Sequence, residues 1–530
     1  MLSGEKNPLT PVGGRALLHA AVLASVAAIV LAGCGGGGGS AGQTFPATTG
    51  QENSTAALPP PDVIQSSALF ANMCSLPRSG IDPFTGAPYP DQPGSIEQEK
   101  SWVRAWIDET YLWFDEIPDT VRSASYILPQ QFFADLRTPA LTASGKRRDR
   151  FHFTYETAVW EALSRSGIEA GYGFDLAIVT SKVPREVRVA YTDPDSPAAK
   201  AGIGRGAKII GTDGVDVVNS ASVDVVNAAL FPNAAGQTHS FQLQELDGSV
   251  RTVALTSAQI TKVPVQNVQA LDTPTGKVGY FLFNDVLQPS EAQLIAAISK
   301  LKDDGVQDLV LDLRYNGGGL LDIASELAFM IAGPQATSGA VFERLQFNSK
   351  NPFQLTDADT ATPFRTKSLG FSTPRGQPLP QLGLSRVTVL TGRDTCSASE
   401  AIINGLRGVD VQVNVVGNTT CGKPYGFFPQ DNCGTTYFAI QFRGVNNQGF
   451  GDYADGIAPT CVVADDFSHA LGDPAEARLA AALSFRSSGT CPPAPLALAS
   501  RAPGSGQSLL SGKSPARTGG FLRLDAGRLR

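Results

Sequence analysis

The sequence predicts a multidomain α+β protein with a small N-terminal helical domain, a β domain and an α/β core. Apolar residues first recur at helical spacing, short strands separated by Asp, Pro and Gly turns come next, and strands alternate with helices from residue 277 onward. The 530 residues, 42% of them hydrophobic, are enough to bury more than one core. The composition therefore excludes disorder throughout the chain.

The charge distribution argues against one class of partner. The net charge is −7, and the basic excess lies at the chain ends, most of it in residues 499–530. The body between the ends is therefore strongly acidic, and phosphate backbones would repel it. We expect no nucleic-acid binding.

The N-terminus predicts a targeting segment in residues 1–34. Lys6 and Arg15 precede an apolar stretch that ends in Leu31-Ala32-Gly33-Cys34, as in a secretory signal peptide. The last four residues resemble a bacterial lipobox, whose Cys becomes the lipidated first residue of the mature protein. This resemblance implies a lipid anchor at Cys34 in the cell envelope, and Gly35 implies the outer membrane, facing the periplasm. The alternative is a plain signal peptide with an incidental Cys34.

Two further segments are predicted to be disordered, a linker at residues 35–69 and a tail at residues 492–530, because both are rich in Gly, Ser and Pro. The other six cysteines form an even set, which in an oxidising compartment predicts disulfides. No Cys-x-x-Cys pair occurs and the chain has four histidines, so a Cys/His zinc site is not supported and no metal site is expected. The cysteines are Cys74, Cys396, Cys421, Cys433, Cys461 and Cys491.

Residues 70–166 are predicted to form the helical domain, because apolar residues recur every three or four positions in residues 96–116 and again in residues 151–166. The aromatic residues of this stripe are expected to pack in a core. They are Trp102, Trp106, Tyr111 and Trp160.

Residues 167–262 are predicted to form the β domain, and their order resembles a PDZ domain. A short helix with a Ser cap and a Pro start lies in Ser196–Gly202, between two strands. The Gly171-Tyr172-Gly173-Phe174 segment resembles the carboxylate-binding loop of that family, and residues 206–214 resemble its following strand and turn. Backbone N–H groups in such a loop can hold a peptide carboxylate while the peptide adds as an extra strand. The alternative is a buried glycine-bearing strand with no ligand.

Residues 263–491 are predicted to form the α/β core. Asp308–Arg314 is a nearly continuous apolar run, as expected of a buried parallel strand, and it leads through three glycines into a helix. A second strand, Val387–Thr391, is followed by Thr395-Cys396-Ser397-Ala398-Ser399-Glu400. A hydroxyl at such a strand-to-helix turn lies beside unpaired N–H groups that can hold an oxyanion, although a Ser there is also a common helix cap. A third strand, Val411–Val416, delivers Lys423.

These segments together resemble the carboxyl-terminal processing (tail-specific) serine protease family, and the resemblance covers roughly residues 97–485. It implies a core of the crotonase/ClpP-like type, protein or peptide substrates and no cofactor. It matches Ser397 to the nucleophile and Lys423 to the general base. It also matches the N–H groups of Gly318 and Ala398 to the oxyanion hole, and Glu400 to a residue that supports the nucleophile helix.

The chain departs from the family pattern near the base. Pro424 and Phe427 stand where relatives have Gly and a Gln that orients the Lys, so either Gln430 substitutes or the dyad acts alone. Thr460 replaces an Asp in a later motif. Six cysteines allow fifteen pairings, and Cys421–Cys433 is preferred because the segment between them has the pattern of a hairpin.

Two alternatives to a Ser/Lys endopeptidase remain open at this stage. The first is a catalytically silent binding protein of the same fold, for a retinoid or a peptide. The second is a tricorn-like peptidase in which His469 acts as the base. The oligomeric state is not predicted.

Overall fold

The computed structural model describes residues 64–221 and 223–493. In this part of the chain, none of the helices combines the length and apolar character needed to cross a membrane. The Cys34 lipobox and nearly all of the predicted 492–530 tail lie outside the described residues. Residues 64–69, expected to end the linker, are ordered instead. They form a 3₁₀ turn, Ser67–Leu69, whose first N–H donates to the Glu109 carboxylate (2.8 Å).

The N-terminal segment is mainly helical. The longest helix begins after Ser95, whose hydroxyl accepts from the Gln98 N–H (3.3 Å), and acidic residues in its first turn complement the helix dipole. Two further 3₁₀ turns lie at Phe114–Glu116 and Ser123–Ser125. The elements are β1 (Met73–Cys74), β2 (Gln92–Pro93), α1 (Ile96–Thr110), α2 (Pro129–Asp135), β3 (Phe153–Glu156) and α3 (Thr157–Ser166).

The middle segment forms an antiparallel sheet around its own core, which includes Val189, Ile209, Val226, Phe241 and Leu243. The elements are β4 (Ile168–Gly171), β5 (Phe174–Thr180), β6 (Glu186–Thr192), α4 (Pro197–Lys200), β7 (Lys208–Thr212), β8 (Val215–Asp216), α5 (Val223–Leu230), β9 (Thr238–Gln244), β10 (Val250–Thr256) and β11 (Ala258–Thr261). The strand order is β10-β9-β7-β6-β5, β8 pairs with β7, and β4 pairs with β11. One edge of the sheet is therefore β5.

The C-terminal segment contains most of the remaining structure. Its elements are β12 (Val265–Leu271), β13 (Val278–Phe283), α6 (Ser290–Asp303), β14 (Asp308–Asp312), α7 (Leu321–Thr337, broken at Gly333), β15 (Val341–Phe347), β16 (Ala361–Pro363), β17 (Arg386–Thr391), α8 (Ala398–Arg407), β18 (Gln412–Gly417), β19 (Tyr425–Gly426), β20 (Gln430–Asn432), β21 (Thr435–Phe438), β22 (Phe442–Val445), β23 (Cys461–Val462) and α9 (Ala477–Ser488).

The central sheet has the order β12-β13-β14-β17-β18-β23, and it is parallel from β13 to β23. Every residue of β13 and β14 is buried because helices cover both faces, as the continuous apolar pattern of Asp308–Arg314 predicted for β14. Leu309 and Leu311 face the larger cluster with α7 and α8, whereas Val310 faces α9. A four-stranded sheet, β16-β15-β22-β19, and a three-stranded sheet, β20-β21-β3, pack alongside.

The predicted separation of a helical domain at residues 70–166 is not what the structure shows. Strand β3 pairs with β21 of the core, and the ring of Trp102 lies 5.2 Å from that of Tyr437. Both segments belong to one hydrophobic cluster, and the Cys74–Cys433 disulfide links them. The helices bury their aromatic stripe against the core, in one continuous hydrophobic cluster.

Candidate active site

Three turns meet at the carboxyl ends of β14, β17 and β18, which are adjacent in the parallel sheet. Loops after neighbouring parallel strands converge at one edge of a sheet, where α/β proteins commonly place their ligands. The turn after β14 is fixed by Arg314, a fully buried side chain that forms a bidentate ion pair with Glu476 (2.7 and 2.9 Å). The structure thus brings together the segments that carry Gly318, Ser397 and Lys423.

Ser397 occupies a strained turn between β17 and α8. Its backbone angles are φ 55° and ψ −113°, a combination that residues with a side chain rarely adopt. This is the geometry of a nucleophile elbow, in which a sharp strand-to-helix turn presents a hydroxyl beside the first N–H groups of a helix. Ala398 is the first residue of α8, so its N–H has no acceptor within the helix.

Gly318 lies directly against the turn at Cys396–Ala398, called the nucleophile turn below because it carries Ser397. A Cβ at this position would come within 2.8 Å of the Cys396 oxygen and 3.0 Å of Ser397 Cβ, and its φ is +99°. Only glycine fits so close an approach. The Gly318 N–H donates to Asn316 Oδ1 (2.9 Å), whereas the family resemblance would leave it open for an oxyanion. An oxyanion at this position must therefore compete with the Asn316 side chain.

Glu400 joins the nucleophile turn to the turn at Thr420–Lys423, called the Lys turn below. Its carboxylate accepts the N–H groups of Ser397 (2.9 Å), Gly422 (2.8 Å) and Lys423 (2.8 Å), and the Thr420 hydroxyl (2.5 Å). Burial raises the pKa of Glu400, while these donors oppose the rise by stabilising the carboxylate. Glu400 is thus a positioning residue for both turns.

Lys423 is buried, with 1% of its surface exposed. Its Nζ makes no hydrogen bond to any described residue and lies 3.9 Å from the ring centroid of Phe427 and 5.1 Å from that of Phe151. Burial lowers the pKa of Lys423 to about 7, with Asp149 and Glu400 opposing the shift through their charges. A Lys amine with such a pKa is substantially neutral near neutral pH, and only the neutral amine can accept a proton.

The disulfides differ from the preferred Cys421–Cys433 pairing. Cys396 is bonded to Cys421, and Cys74 is bonded to Cys433. The hairpin expected between Cys421 and Cys433 does not form, because β19 pairs with β22 and β20 pairs with β21. Cys433 lies between β20 and β21 and is bonded to the N-terminal segment. The Cys396–Cys421 disulfide connects the residue before Ser397 to the Lys turn. Both sulfurs lie near Glu400, but their mutual bond removes the thiolates that a metal would require. The third disulfide joins Cys461 to Cys491.

Two sequence-based hypotheses about the base are wrong: that Gln430 orients Lys423, and that His469 replaces Lys423 as the base. Gln430 is exposed on β20 and donates to the Asp431 carbonyl, so it does not orient Lys423. His469 is also partly exposed, and its Nδ1 is bonded to Asp466 (2.7 Å) and Ser468 (3.1 Å) rather than to a group of the candidate site.

Sequence reasoning missed a contribution from the N-terminal segment. Arg150 Nη2 donates to the carbonyl oxygens of Cys421 (2.7 Å) and Gly422 (3.1 Å), and the neighbouring Phe151 contacts the Lys423 amine. Asp149 accepts from Tyr111 (2.6 Å) and pairs with His152 (3.0 Å). The only signal in the sequence was a charged run followed by aromatic residues, which carries no indication of a partner 271 residues away.

The predicted carboxylate-binding loop connects β4 to β5. Gly173 has φ +78°, and a Cβ there would overlap Ser196 Cβ at 2.1 Å. The Tyr172 side chain packs in the core of the middle segment, with its ring 5.1 Å from that of Phe241, so this residue offers only its backbone to a ligand. Ser196 caps α4 as predicted, accepting from the Ala199 N–H (3.1 Å).

The three turns converge at the carboxyl edge of a parallel α/β sheet, and comparisons with known proteins show which families the chain resembles. Residues 277–462 match the model of peptidase family S41, and residues 98–155 match that of the peptidase S41 N-terminal domain. Over these two segments, which together make up less than half of the chain, the protein is similar to family S41. The N-terminal match covers the segment that the structure fuses to the core.

Individual relatives agree with this family. A carboxyl-terminal-processing protease of Picosynechococcus sp. is 29% identical over 263 residues, covering 49% of this chain and 56% of the relative. A probable CtpA-like serine protease of Staphylococcus haemolyticus is 24% identical over 258 residues, covering 49% of this chain and 45% of the relative. The chain thus spans about half the length of these curated relatives. A crystal structure from Bacteroides fragilis, described as belonging to the S41 proteases, shares the fold (24% identity, TM-score 0.55, covering 76% of this chain and all of that chain).

Proposed function

We propose that the protein is a serine endopeptidase of the carboxyl-terminal processing type, with Ser397 and Lys423 as its catalytic dyad. The observation that carries this proposal is a buried amine of lowered pKa on the turn beside a strained serine. A serine hydroxyl needs a proton acceptor, and Lys423 is the base that the converging turns supply.

In the proposed reaction, Ser397 Oγ attacks the carbonyl carbon of the scissile peptide bond while Lys423 Nζ accepts its proton. The resulting oxyanion is stabilised by the Ala398 N–H at the start of α8, and by the Gly318 N–H once the oxyanion displaces Asn316 Oδ1. Lys423 then returns the proton to the leaving amine, and an acyl-enzyme ester forms on Ser397. Water hydrolyses this ester by the same steps, with Lys423 again acting as the base.

The middle segment is proposed to be a PDZ domain that recognises the carboxyl terminus of the substrate. Two features support this: β5 forms an open edge of its sheet, and the glycine-bearing Gly171–Phe174 turn lies at the start of that strand. A peptide could add as a further strand beside β5, with its carboxylate at the N–H groups of the turn. The substrates are accordingly proteins or peptides with an accessible carboxyl terminus.

Attachment to the outer membrane through lipidated Cys34, facing the periplasm, is also a proposal. It is supported by the sequence pattern alone. Detergent-phase partitioning of the mature protein should be lost in the Cys34→Ser variant, and partitioning that persists in this variant would exclude a lipid anchor at Cys34.

The catalytic proposal is tested by fluorophosphonate labelling and by cleavage of casein. Wild type should react in both assays, while Ser397→Ala and Lys423→Ala should each lose nearly all activity because members of a catalytic unit are not additive. Activity should rise with pH through about 7, since the neutral amine is the working form. A folded wild-type protein that neither labels nor cleaves would favour the binding-protein alternative, for which the engaged Gly318 N–H is the specific observation.

The same cleavage assay tests carboxyl-terminal recognition. A peptide with a free apolar carboxyl terminus should be cleaved better than its amidated counterpart, because amidation removes the charge that the Gly171–Phe174 turn would hold. Equal cleavage of the two peptides would exclude terminal recognition without affecting the dyad.

A further inference from the structure

The Lys423 amine is surrounded by aromatic rings instead of hydrogen-bonding side chains. Its Nζ lies 3.9 Å from the centroid of the Phe427 ring and 5.1 Å from that of Phe151. We propose that Phe427 and Phe151 are the positioning residues of the base, holding the Lys423 amine through their ring faces. This inference rests on the proposed Ser/Lys dyad and adds how this chain orients its base.

Phe427 is held rigidly enough to serve this purpose. Its side chain is fully buried, and its ring packs edge-on against Phe438 (5.4 Å) and Phe153 (5.8 Å). Because Phe153 lies on β3 and Phe438 on β21, the N-terminal segment and the core both fix the ring. A ring locked on two sides presents a constant face to the amine.

Phe151 reaches the amine because Arg150 anchors the N-terminal segment on the Lys turn. Arg150 Nη2 donates to the carbonyl oxygens of Cys421 and Gly422, and also to that of Ala454 (3.2 Å). Its guanidinium also lies 4.6 Å from the centroid of the Phe151 ring. The N-terminal segment is therefore part of the base site and not only a support for the fold.

Each ring has two opposite effects on the amine. Its bulk excludes water and favours the neutral form, whereas its negatively polarised face attracts the ammonium form. The charged groups that act on the amine are Asp149 and Glu400, which favour the ammonium, and Arg150, which opposes it. Replacing a ring by an aliphatic side chain keeps most of the bulk and removes the attraction, so the two effects can be separated experimentally.

The test compares Phe427→Leu and Phe427→Gln by measuring kcat/KM for a peptide substrate as a function of pH. Phe427→Leu should move the rising limb of the kcat/KM–pH profile to lower pH by about half a unit, because the ammonium form of Lys423 loses its contact with the ring. Phe427→Gln should move the limb to higher pH, because an amide oxygen accepts a hydrogen bond from the ammonium. In Phe427→Leu the plateau should fall about tenfold as the amine loses its orientation, whereas Phe427→Gln supplies a hydrogen-bonding partner that orients the amine and should keep the plateau.

Phe428→Leu is the matched control. Phe428 is also buried, but its ring packs against Phe353 (4.9 Å) and Phe442 (5.5 Å), so the variant should keep the wild-type limb. Phe151→Leu provides a second test with less loss of packing, and it should move the limb in the same direction as Phe427→Leu but by a smaller amount. Thermal unfolding of each variant measures any general loss of stability.

The possible failures are distinguishable. If Lys423→Ala is inactive while Phe427→Leu and Phe151→Leu both keep the wild-type limb, the rings do not position the base and the dyad stands. A fall in plateau without any movement of the limb shows a merely structural role and also overturns the inference. If a folded Lys423→Ala protein remains active, the proposed dyad itself fails.

Discussion

Burying the amine of Lys423 should lower the free energy of unfolding of the protein, although the proposed function requires this burial. The Lys423→Met variant tests this prediction. Methionine has a similar length and no charge, so the variant removes the cost of burying the amine and keeps most of the packing against Phe427. The variant should be inactive and more stable than wild type at neutral and acidic pH.

The magnitude follows from the lowered pKa. The value for Lys423 is about 7 in the folded protein against 10.5 for the free side chain. Between these values the unfolded chain binds more protons than the folded one, so the free energy of unfolding rises with pH across this window. At about 1.36 kcal/mol per pKa unit, the cost is about 5 kcal/mol below pH 7, about 2 kcal/mol at pH 9, and absent above the unfolded pKa.

The assay is thermal unfolding of wild type and variant from pH 6 to pH 9. The midpoint of Lys423→Met should exceed that of wild type by several degrees at pH 6, and the gap should narrow by more than half at pH 9. Lys300→Met is the control, since the Lys300 side chain is about half exposed on α6 and its replacement removes no burial cost. A gap that is constant with pH, or a variant less stable than wild type at pH 6, would refute the reasoning.

Two further predictions concern the turns around Ser397. Gly318→Ala should lower kcat by at least about 100-fold, because its Cβ would lie 2.8 Å from a backbone oxygen of the nucleophile turn. Gly305→Ala, whose φ is also positive but whose Cβ meets nothing within 4 Å, should keep its activity, and equal losses would contradict the steric argument. Replacing the Cys396–Cys421 pair by serines should lower kcat about tenfold by loosening the link between the two catalytic turns. The same change at the Cys461–Cys491 pair should affect melting temperature more than kcat, and the reverse ranking would exclude a positioning role for the first disulfide.

The sequence could predict the parts of the fold whose pattern is local. The buried strands β13 and β14 follow from their continuous apolar runs, and α4 follows from Ser196 before Pro197. The convergence of the three turns also follows, because parallel strands place their carboxyl ends at one edge. The strain at Ser397 lies at the last residue of the turn between β17 and α8, directly before the helix begins.

Long-range partners could not be predicted in the same way. Cys433 was paired with Cys421 on the expectation of a local hairpin, yet its partner, Cys74, is 359 residues away. Pairing depends on which elements pack together, and the packing of the N-terminal helices on the core was not expected. The engagement of the Gly318 N–H by Asn316 is likewise a side-chain conformation that no spacing rule contains.

The surroundings of Lys423 depend both on the local sequence and on contacts with residues that are distant in the chain. Phe427 departs from the Gln of relatives, and the sequence offers Gln430 in the same segment as a replacement. The structure instead supplies Phe151 and Arg150 from the other end of the chain. Orienting the Lys423 amine by a hydrogen bond requires a polar side chain at one particular position near the amine. Enclosing the amine in apolar groups requires only that some element of the protein excludes water from it. The loss of the Gln is therefore compatible with a working base, provided that the N-terminal segment remains packed on the Lys turn.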